Sequence, residues 1–592
     1  MITKEMLDKL NEIQDELSHL PHGYISKKTI NGKTQHYLQW TELGKKKSKY
    51  INSSSLSNIE ASLERRKVLL LKEREIKNYL TKKDLLRIKE NITYNTTVLY
   101  GEDLAKFYRN ALDYKKRYCY QELDDYLHSK TDKIFILYGL RRTGKTTLIK
   151  QAISNMNNTE FESTAFIQIN KDDTLSLLNK DLKKLMNNGY KYVFIDEITL
   201  LSDFIEGAAL LSDIFASCGM KIILSGTDSL GFIFSKSNSL YDRAILLHTT
   251  FISYKEFEEV LGIKGIDNYI KYGGTMSVSG INYNSIFNNI DDTKEYINSS
   301  IAHNIQHSLK YYQNETHFRS LKELYDNDEL TSAINRVIED MNHEFTIDVL
   351  TKDFKSHDLG ISRNNLRHDR FNPTDILDDI DIVKFTERLK NYLDIKNKNE
   401  QKVNIESEHT IEIKEYLKLL DLIVDIDIKS ISTNKTTKRT VFTQPGLRYS
   451  QAEYLISSLL EDDTFSDLSE EFKTGVINRI LSEIKGRMVE DIILLETSLK
   501  TKNKQVFKLQ FDVGEYDMVI RDIDNNTCEI YEIKYSNINT PEQYRFLIDK
   551  EKQDKTEFKY GKVIKRCVLY RGKSLKDNNI EYINIEKYLK RI

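Results

Sequence analysis

One stretch of the chain constrains its fold more than any other: IFILYGLRRTGKTTLIK, residues 134–150. An apolar, strand-like segment leads into G-x-x-x-x-G-K-T, and residues with helical periodicity follow, which is the context that a phosphate-binding P-loop requires. Gly139 and Gly144 allow the backbone to curl so that successive N–H groups point into one concavity. The next helix adds the positive end of its dipole. We therefore predict a nucleoside triphosphate site in this loop.

The signature residues of the loop have individual expected roles. Lys145 is predicted to reach the β- and γ-phosphates of ATP, and the Thr146 hydroxyl to bind Mg²⁺. Arg141 and Arg142 are also candidates for stabilising transition-state charge. The full set of predicted nucleotide contacts in the loop is Gly139, Arg142, Thr143, Gly144, Lys145, Thr146 and Thr147.

Residues 131–262 alternate strands with helices, which predicts a parallel sheet with helices on both faces. One buried strand, residues 192–195, ends in Asp196 and Glu197. An acid at the carboxyl end of such a strand faces the ligand crevice. We expect Asp196 to hold Mg²⁺ through water and Glu197 to orient or deprotonate the attacking water.

Further polar residues follow the next strand, KIILSGTDS. Ser225 and Thr227 are candidates for sensing the γ-phosphate, and the alternative for both is simple turn capping. Arg243 is a candidate for stabilising transition-state charge, either in cis or from a neighbouring subunit. The alternative for Arg243 is an ordinary surface ion pair.

The N-terminal 130 residues divide into two predicted parts. Residues 1–52 form a basic β-hairpin module around Asn31-Gly32, in which lysines are interleaved with aromatic side chains. This pattern suits nucleic-acid contact, or a small aromatic core under a lysine face. Residues 53–130 are charged and helical, and we interpret them as a spacer.

Residues 263–480 are predicted to be a helical lid with a winged-helix region. A helix-turn-helix pattern places Gly360 in the turn and Arg363 on the second helix. The loop STNKTTKR is predicted to be the wing. Its basic residues are expected either to contact phosphate or only to stabilise domain packing; they are Lys435, Lys438 and Arg439.

Residues 481–592 carry a second group of chemically active residues. Glu490 lies on an amphipathic helix, and Asp517 lies on a strand after the break near Gly514. Glu532 and Lys534 are two apart on a strand and therefore share a face. A hairpin is expected to bring Asp517 beside them.

These side chains predict metal-dependent phosphate chemistry. Asp517 and Glu532 would bind Mg²⁺, which lowers the pKa of a bound water. Lys534 would position that water or stabilise developing charge. Glu490 would complete the site or act as a base, with Glu515 as a spare carboxylate. The alternative is a solvent face with a cross-strand ion pair.

Composition limits the remaining possibilities. The chain has 592 residues and a net charge of −2, so any affinity for nucleic acid must come from local patches. Its four cysteines form no CxxC pair, which favours a reducing, cytoplasmic location without a zinc site. No signal peptide or membrane span is predicted, and hence no membrane partner.

The motifs together resemble those of prokaryotic AAA-type P-loop ATPases related to the archaeal ATPase family. The matching segments are YGLRRTGKTT, VFIDE, ILSGTDS, YDRAILLHTTFISYKEF, GRMVED, GEYDMVI and YEIKYS. The resemblance implies ATP binding and hydrolysis, a winged-helix middle region and a C-terminal PD-(D/E)xK nuclease-like domain. Tyr516 stands where that motif often has proline.

We therefore predict a multidomain α/β protein. It has a P-loop parallel sheet, a helical and winged-helix middle, a C-terminal α/β restriction-endonuclease-like domain, and a small N-terminal β module with a long helix. The first functional hypothesis is an ATP-dependent protein that acts on DNA and cleaves it with Mg²⁺, in defence or mobile-element biology. The alternative is a nucleotide-switched regulatory ATPase that binds DNA or protein without cleavage. A chaperone-like ATPase and a homo-oligomer remain open.

Overall fold

The computed structural model describes the parts of the chain that the following ranges list: 2–30, 33–42, 45–79, 93–201, 203–204, 209–227, 242–276, 287, 289–306, 318–349, 405–460, 466, 469–501, 503–577 and 579–592. In these ranges the strands form sheets of three, six and eight strands. None of the helices described there combines the length and the apolar character that crossing a membrane would require.

The N-terminal part contains a three-stranded antiparallel sheet between two helices. Its elements are α1 (Ile2–His19), β1 (Tyr24–Ile30), β2 (Lys33–Glu42), β3 (Lys45–Ile51) and α2 (Leu56–Tyr79). β1 and β2 pair from Tyr24↔Gln39 to Ile30↔Lys33, as expected of a hairpin, while Asn31 and Gly32 lie outside the described residues. The two helices pack through Ile13, Leu17 and Leu69.

The predicted parallel sheet is confirmed, and it carries the P-loop at the end of its β5. The strands are β4 (Thr97–Leu99), β5 (Ile134–Tyr138), β6 (Thr164–Gln168), β7 (Tyr192–Asp196), β8 (Lys221–Gly226) and β9 (Ala244–His248). Their order is β4-β6-β7-β8-β5-β9, with only β4 antiparallel to its neighbour. Apolar layers cover both faces, which is why the central strands are continuous apolar runs.

Short helices connect and flank these strands. They are α3 (Gly101–Tyr108), α4 (Tyr120–His128), α5 (Lys145–Ser154), α6 (Asn158–Glu162), α7 (Leu175–Asn187) and a π-helix (Leu211–Ala216). The N-cap side chains of Asn157 and Thr174 accept hydrogen bonds from the first turns of α6 and α7.

A mostly helical region follows the P-loop sheet. Its helices are α8 (Tyr254–Glu259), α9 (Ile266–Tyr272), α10 (Ile290–Tyr296), a π-helix (Ile297–Ala302), α11 (Arg319–Asp326), α12 (Leu330–Asp348), α13 (Ser407–Leu419) and α14 (Pro445–Leu460). One apolar core, which includes Ile334, Tyr416 and Leu447, joins most of them. Gly360 and Arg363 of the predicted helix-turn-helix lie outside the described residues.

The C-terminal sheet has eight strands in the order β11-β10-β12-β13-β14-β15-β17-β16. The elements, in chain order, are β10 (Ile423–Ser430), β11 (Thr436–Phe442), α15 (Glu470–Lys500), β12 (Gln505–Gln510), β13 (Glu515–Asp522), β14 (Thr527–Lys534), α16 (Lys550–Tyr560), β15 (Lys562–Tyr570), β16 (Leu575–Asp577), β17 (Ile580–Asn584) and α17 (Ile585–Arg591).

The hairpin of β10 and β11, whose connecting loop is the predicted wing, is part of the C-terminal sheet. β10 runs parallel to β12, with Asp427 opposite Phe507, so the hairpin extends the C-terminal sheet. It covers an edge that would otherwise expose unpaired backbone groups. The predicted boundary between residues 480 and 481 also falls inside the continuous helix α15.

Candidate nucleotide site and C-terminal charge cluster

The P-loop curls at the carboxyl end of the parallel sheet, where ligand crevices form. Gly139 has a φ of 139° and Gly144 a φ of 90°, and Gly144 is the N-cap of α5. A Cβ on Gly139 would collide with the carbonyl oxygen of Thr249, so the first signature glycine is a steric requirement. Arg142 is also left-handed, with a φ of 64°, and its carbonyl accepts a hydrogen bond from the Met276 N–H at 2.7 Å.

Lys145 is buried inside the loop that precedes it. Its ammonium donates to the carbonyl oxygens of Gly139 and Leu140, each at 2.8 Å. Burial lowers the pKa of Lys145 to about 8, although the nearby Glu197 and Asp196 act in the opposite direction. The lysine of the P-loop signature is therefore a desolvated cation held by the backbone of its own loop.

The predicted Mg²⁺ ligands are neighbours. The exposed Thr146 donates its hydroxyl hydrogen to Asp196 Oδ2 at 3.0 Å. Asp196 is only 4% exposed, and its other oxygen accepts a hydrogen bond from Ser225. A hydroxyl and a carboxylate side by side are oxygen ligands that suit Mg²⁺, so the residues fit the ion.

Glu197 follows at the end of β7 with a φ of 55°. Burial, with a contribution from Asp196, raises the pKa of Glu197 above its ordinary value. The Thr227 hydroxyl donates to Glu197 Oε2 at 3.3 Å. The Thr227 carbonyl oxygen accepts a hydrogen bond from the Asn304 side chain at 2.8 Å. Both sensor candidates therefore contact the acidic pair, while Thr143 bonds within the loop and Thr147 lies half-buried on α5.

Arg243 lies at the opposite end of the sheet. It precedes Ala244, which pairs with Ile134, whereas the P-loop follows Tyr138 at the other end of β5. Four residue steps along a strand separate the two ends by about 13 Å. Arg243 forms an exposed ion pair with Asp213 at 2.8 Å, so the predicted role in cis is not compatible with this arrangement. Action from a neighbouring subunit stays a prediction.

The structure reveals a buried arginine that the sequence motifs did not indicate. Arg117 pairs with both oxygens of Glu256, at 3.0 and 2.6 Å, and donates to the Thr143 carbonyl at 2.7 Å. It thereby ties the P-loop to helix α8. Arg117 and Glu256 are 139 residues apart, and no local pattern in the sequence marks the pair.

The C-terminal site brings three predicted residues into direct contact. Lys534 Nζ lies 2.7 Å from Glu532 Oε2 and 3.1 Å from Asp517 Oδ2. The Ile533 N–H donates to the same Asp517 oxygen at 2.8 Å. Glu490, from helix α15, reaches this group only through another lysine.

That lysine is Lys508 on β12, which the sequence reasoning did not select. Its side chain is 1% exposed, and its Nζ lies 2.6 Å from Glu515 Oε1, 3.3 Å from Glu490 Oε2 and 3.5 Å from Asp517 Oδ1. The only signal in the sequence is a lysine between the apolar Phe507 and Leu509. We call Glu490, Lys508, Glu515, Asp517, Glu532, Lys534 and Arg487 the C-terminal charge cluster.

The lysines determine the electrostatics of the cluster. Burial alone would raise the pKa of Asp517, but Lys534 and Lys508 hold it well below its usual range. Burial raises the pKa of Glu532 well above its ordinary value, and Glu532 Oε1 is buried without a hydrogen-bond partner. Among the described residues no group of three His, Cys, Asp or Glu side chains is placed to hold a metal ion. The predicted Mg²⁺ site of Asp517 and Glu532 therefore does not fit, because ammonium groups already neutralise these carboxylates.

The P-loop region and the C-terminal part share one apolar core, which contains Phe257, Tyr269 and Ile493. At its centre Glu496 Oε1 accepts hydrogen bonds from the Tyr254 N–H at 2.7 Å and the Tyr269 hydroxyl at 3.0 Å. Burial raises the pKa of Glu496 to about 7. Helix α15 thus contacts both α8 and α9.

Comparisons with known proteins add two family matches. Residues 131–258 match the AAA domain family, and residues 3–61 match a domain of unknown function (DUF6788). No curated protein matches the chain.

Two solved structures are similar over long stretches. One is the Aeropyrum pernix ORC1 protein in complex with DNA, with 12% identity, 61% of this chain and 97% of that chain covered, and a TM-score of 0.21. The other is the Saccharomyces cerevisiae Hsp104–ADP complex, with 14% identity, 68% of this chain and 58% of that chain covered, and a TM-score of 0.23. At these TM-scores neither likeness supports an argument.

Proposed function

We propose that the ATPase activity of this chain, which carries an AAA domain at residues 131–258, controls how the protein contacts DNA. The observation that supports DNA as the partner is an exposed aromatic and basic face on the N-terminal sheet. The P-loop supplies the nucleotide site, and the shared core supplies a physical connection to the C-terminal domain.

At the nucleotide site each residue has a task that follows from its position. Lys145 would exchange the two loop carbonyls for phosphate oxygens, which are charged and therefore stronger acceptors. Thr146 and Asp196 would hold Mg²⁺, which neutralises phosphate charge when bound. Glu197 would orient the attacking water, and its raised pKa suits it to accept a proton.

The N-terminal sheet presents its aromatic rings to solvent on one face. Strand register places Tyr24, Tyr37 and Tyr50 on that side, because Tyr37 lies opposite Tyr50 and Tyr24 lies opposite Gln39. Tyr24 is 57% exposed and Tyr50 is 54% exposed, whereas Leu38 on the other face is buried. The rings of Tyr24 and Tyr50 are therefore not used to form the core of the module.

Lysine side chains lie on the same face as these rings. Lys28 lies 5.3 Å from the centroid of the Tyr37 ring, and Lys46 projects from the same face on β3. Exposed rings with neighbouring ammonium groups suit the stacking of bases and the neutralisation of a phosphate backbone. This arrangement favours unpaired bases, since those of a duplex are already stacked.

Fluorescence anisotropy with a labelled single-stranded DNA and its duplex tests the proposal. We expect salt-sensitive binding that favours the single strand and changes between ATP-bound and nucleotide-free protein. Tyr24→Ala and Tyr50→Ala should each cost about 1–3 kcal/mol of binding free energy, the usual value of one stacked base. Tyr114→Ala, which removes an aromatic ring exposed by 39% elsewhere, is the matched control. Equal loss in all three variants would reject this face as the site of contact, and no binding at low salt would reject DNA as the partner.

Cleavage of DNA by the C-terminal domain is a second candidate. Asp517, Glu532 and Lys534, which the nuclease-like motif requires, are in contact, but cleavage would need Mg²⁺ to displace the ammonium groups from these carboxylates. Incubation of plasmid DNA with Mg²⁺ and with wild-type or Glu532→Ala protein tests it. Nicking that the substitution abolishes would support cleavage.

A further inference from the structure

We propose that the Lys508 ammonium takes the place of a divalent metal ion in the C-terminal charge cluster, so that this domain does not cleave DNA through a bound metal ion. The metal-free site stands on the geometry of the cluster alone.

Lys508 lies among the carboxylates that would otherwise surround a metal ion. Its Nζ lies within 3.5 Å of three carboxylates, those of Glu515, Glu490 and Asp517, which come from helix α15 and strand β13. A divalent ion bound to Asp517 would need oxygen ligands at about 2.0–2.6 Å in the same volume. The second oxygen of Asp517 is engaged by Lys534 and by the Ile533 N–H. Both oxygens of Asp517 therefore face an ammonium group at the positions where a metal ion would bind.

The backbone explains why Lys508 is aimed into the cluster. Phe507 pairs with Val519, but Leu509 pairs with Tyr516, so two residues of β13 lie opposite Lys508. This irregularity is a β-bulge, a feature that redirects side chains next to functional sites. Phe507 and Leu509 are fully buried in an apolar core, and they fix the strand on either side of the lysine.

The net charge of the cluster also favours Lys508 over a divalent ion. Four carboxylates of the cluster face three cationic side chains, because Arg487 also pairs with Glu490 at 2.8 Å. The formal charge is therefore −1 with Lys508 present, and it would be −2 without Lys508. A divalent ion would balance the cluster only if Lys508 were neutral or removed. A buried ion without compensation is costly, so ammonium and metal ion exclude each other.

Mn²⁺ binding to the nucleotide-free full chain, followed by electron paramagnetic resonance, tests this inference. All proteins carry Asp196→Asn, which removes the carboxylate expected to hold a divalent ion at the nucleotide site. We expect no tightly bound Mn²⁺ in the protein that retains Lys508 and in Lys508→Arg, which keeps the cation. Lys508→Gln should gain one Mn²⁺ per chain, and the added substitution Asp517→Asn should remove it.

Two results would overturn the inference. One is Mn²⁺ bound in the presence of Lys508 and lost in Asp517→Asn, and the other is a folded Lys508→Gln protein that binds none. If Lys508→Gln does not fold, the protein that retains Lys508 still tests the inference. Mn²⁺ bound through Asp517 in that protein contradicts the inference, and the absence of such binding supports it. Nicking of plasmid DNA that depends on Glu532 and a divalent ion would also contradict the inference. Since none of these Mn²⁺ measurements involves DNA, a failure to bind DNA would count only against the proposed function.

Discussion

Replacing Glu496 by glutamine should stabilise the protein at alkaline pH. Glu496 is buried in the shared core, where burial raises its pKa from the ordinary 4.5 to about 7, although the hydrogen bonds from Tyr254 and Tyr269 act in the opposite direction. The unfolded chain releases this proton above pH 4.5, whereas the folded chain keeps it until about pH 7. Folding stability therefore falls as the pH rises through this window.

The magnitude follows from the difference between the two pKa values. A difference of about 2.5 corresponds to about 3 kcal/mol of folding free energy, which wild type lacks at pH 8. Glutamine stays neutral and keeps the oxygen that accepts hydrogen bonds from Tyr254 and Tyr269. Glu496→Gln should therefore exceed wild type by about 3 kcal/mol at pH 8, and by about 1 kcal/mol at pH 5.

Urea unfolding followed by far-ultraviolet circular dichroism at pH 5 and pH 8 measures this difference. Glu551→Gln is the matched control, because the Glu551 side chain is 78% exposed on α16 and should change stability little at either pH. A Glu496→Gln protein that is no more stable than wild type at pH 8 would contradict this prediction. It would mean that Glu496 ionises as easily in the folded protein as in the unfolded chain.

The remaining predictions concern the nucleotide site and its support. Lys145→Ala should abolish binding of a fluorescent ATP analogue, and retained affinity would show that this lysine does not hold the phosphates. Glu197→Gln should keep that affinity but slow ATP hydrolysis by about 10²–10⁴-fold, so unchanged phosphate release would reject the role of Glu197. Arg117→Ala should lower the free energy of unfolding by about 3–5 kcal/mol in urea titrations, because it leaves Glu256 buried without its partner. A loss below 1 kcal/mol would contradict the structural role of this pair.

The nucleotide site was predictable because its information is local. A strand, a glycine loop and a helix follow each other directly, and Asp196 ends the strand that parallel topology places beside the loop. Thr146 and Asp196 therefore meet as expected. The place of Arg243 at the amino end of β9 can be read from the apolar run that follows it, but its ion pair with Asp213, 30 residues away, cannot.

Pairings between distant elements were beyond the reach of the sequence. Lys508 lies between apolar neighbours, and only the bulge opposite it and the approach of α15 reveal its carboxylate partners. The loop between β10 and β11 is basic, which is typical of the wing of a winged helix. The actual place of the hairpin was set by the open edge of β12, which lies more than sixty residues later in the chain.

Helix α15 connects the two sites by simple geometry. Glu490 in the C-terminal charge cluster and Glu496 at the junction with α8 are six residues apart, about 9 Å along the helix axis. Six residues also turn the helix by about 600°, so the two side chains leave it in different directions. One face of a single rigid element therefore contacts the P-loop region, and another face contacts the cluster. Any shift of α8 that accompanies ATP hydrolysis must either move Glu490 or break the hydrogen bonds of Glu496.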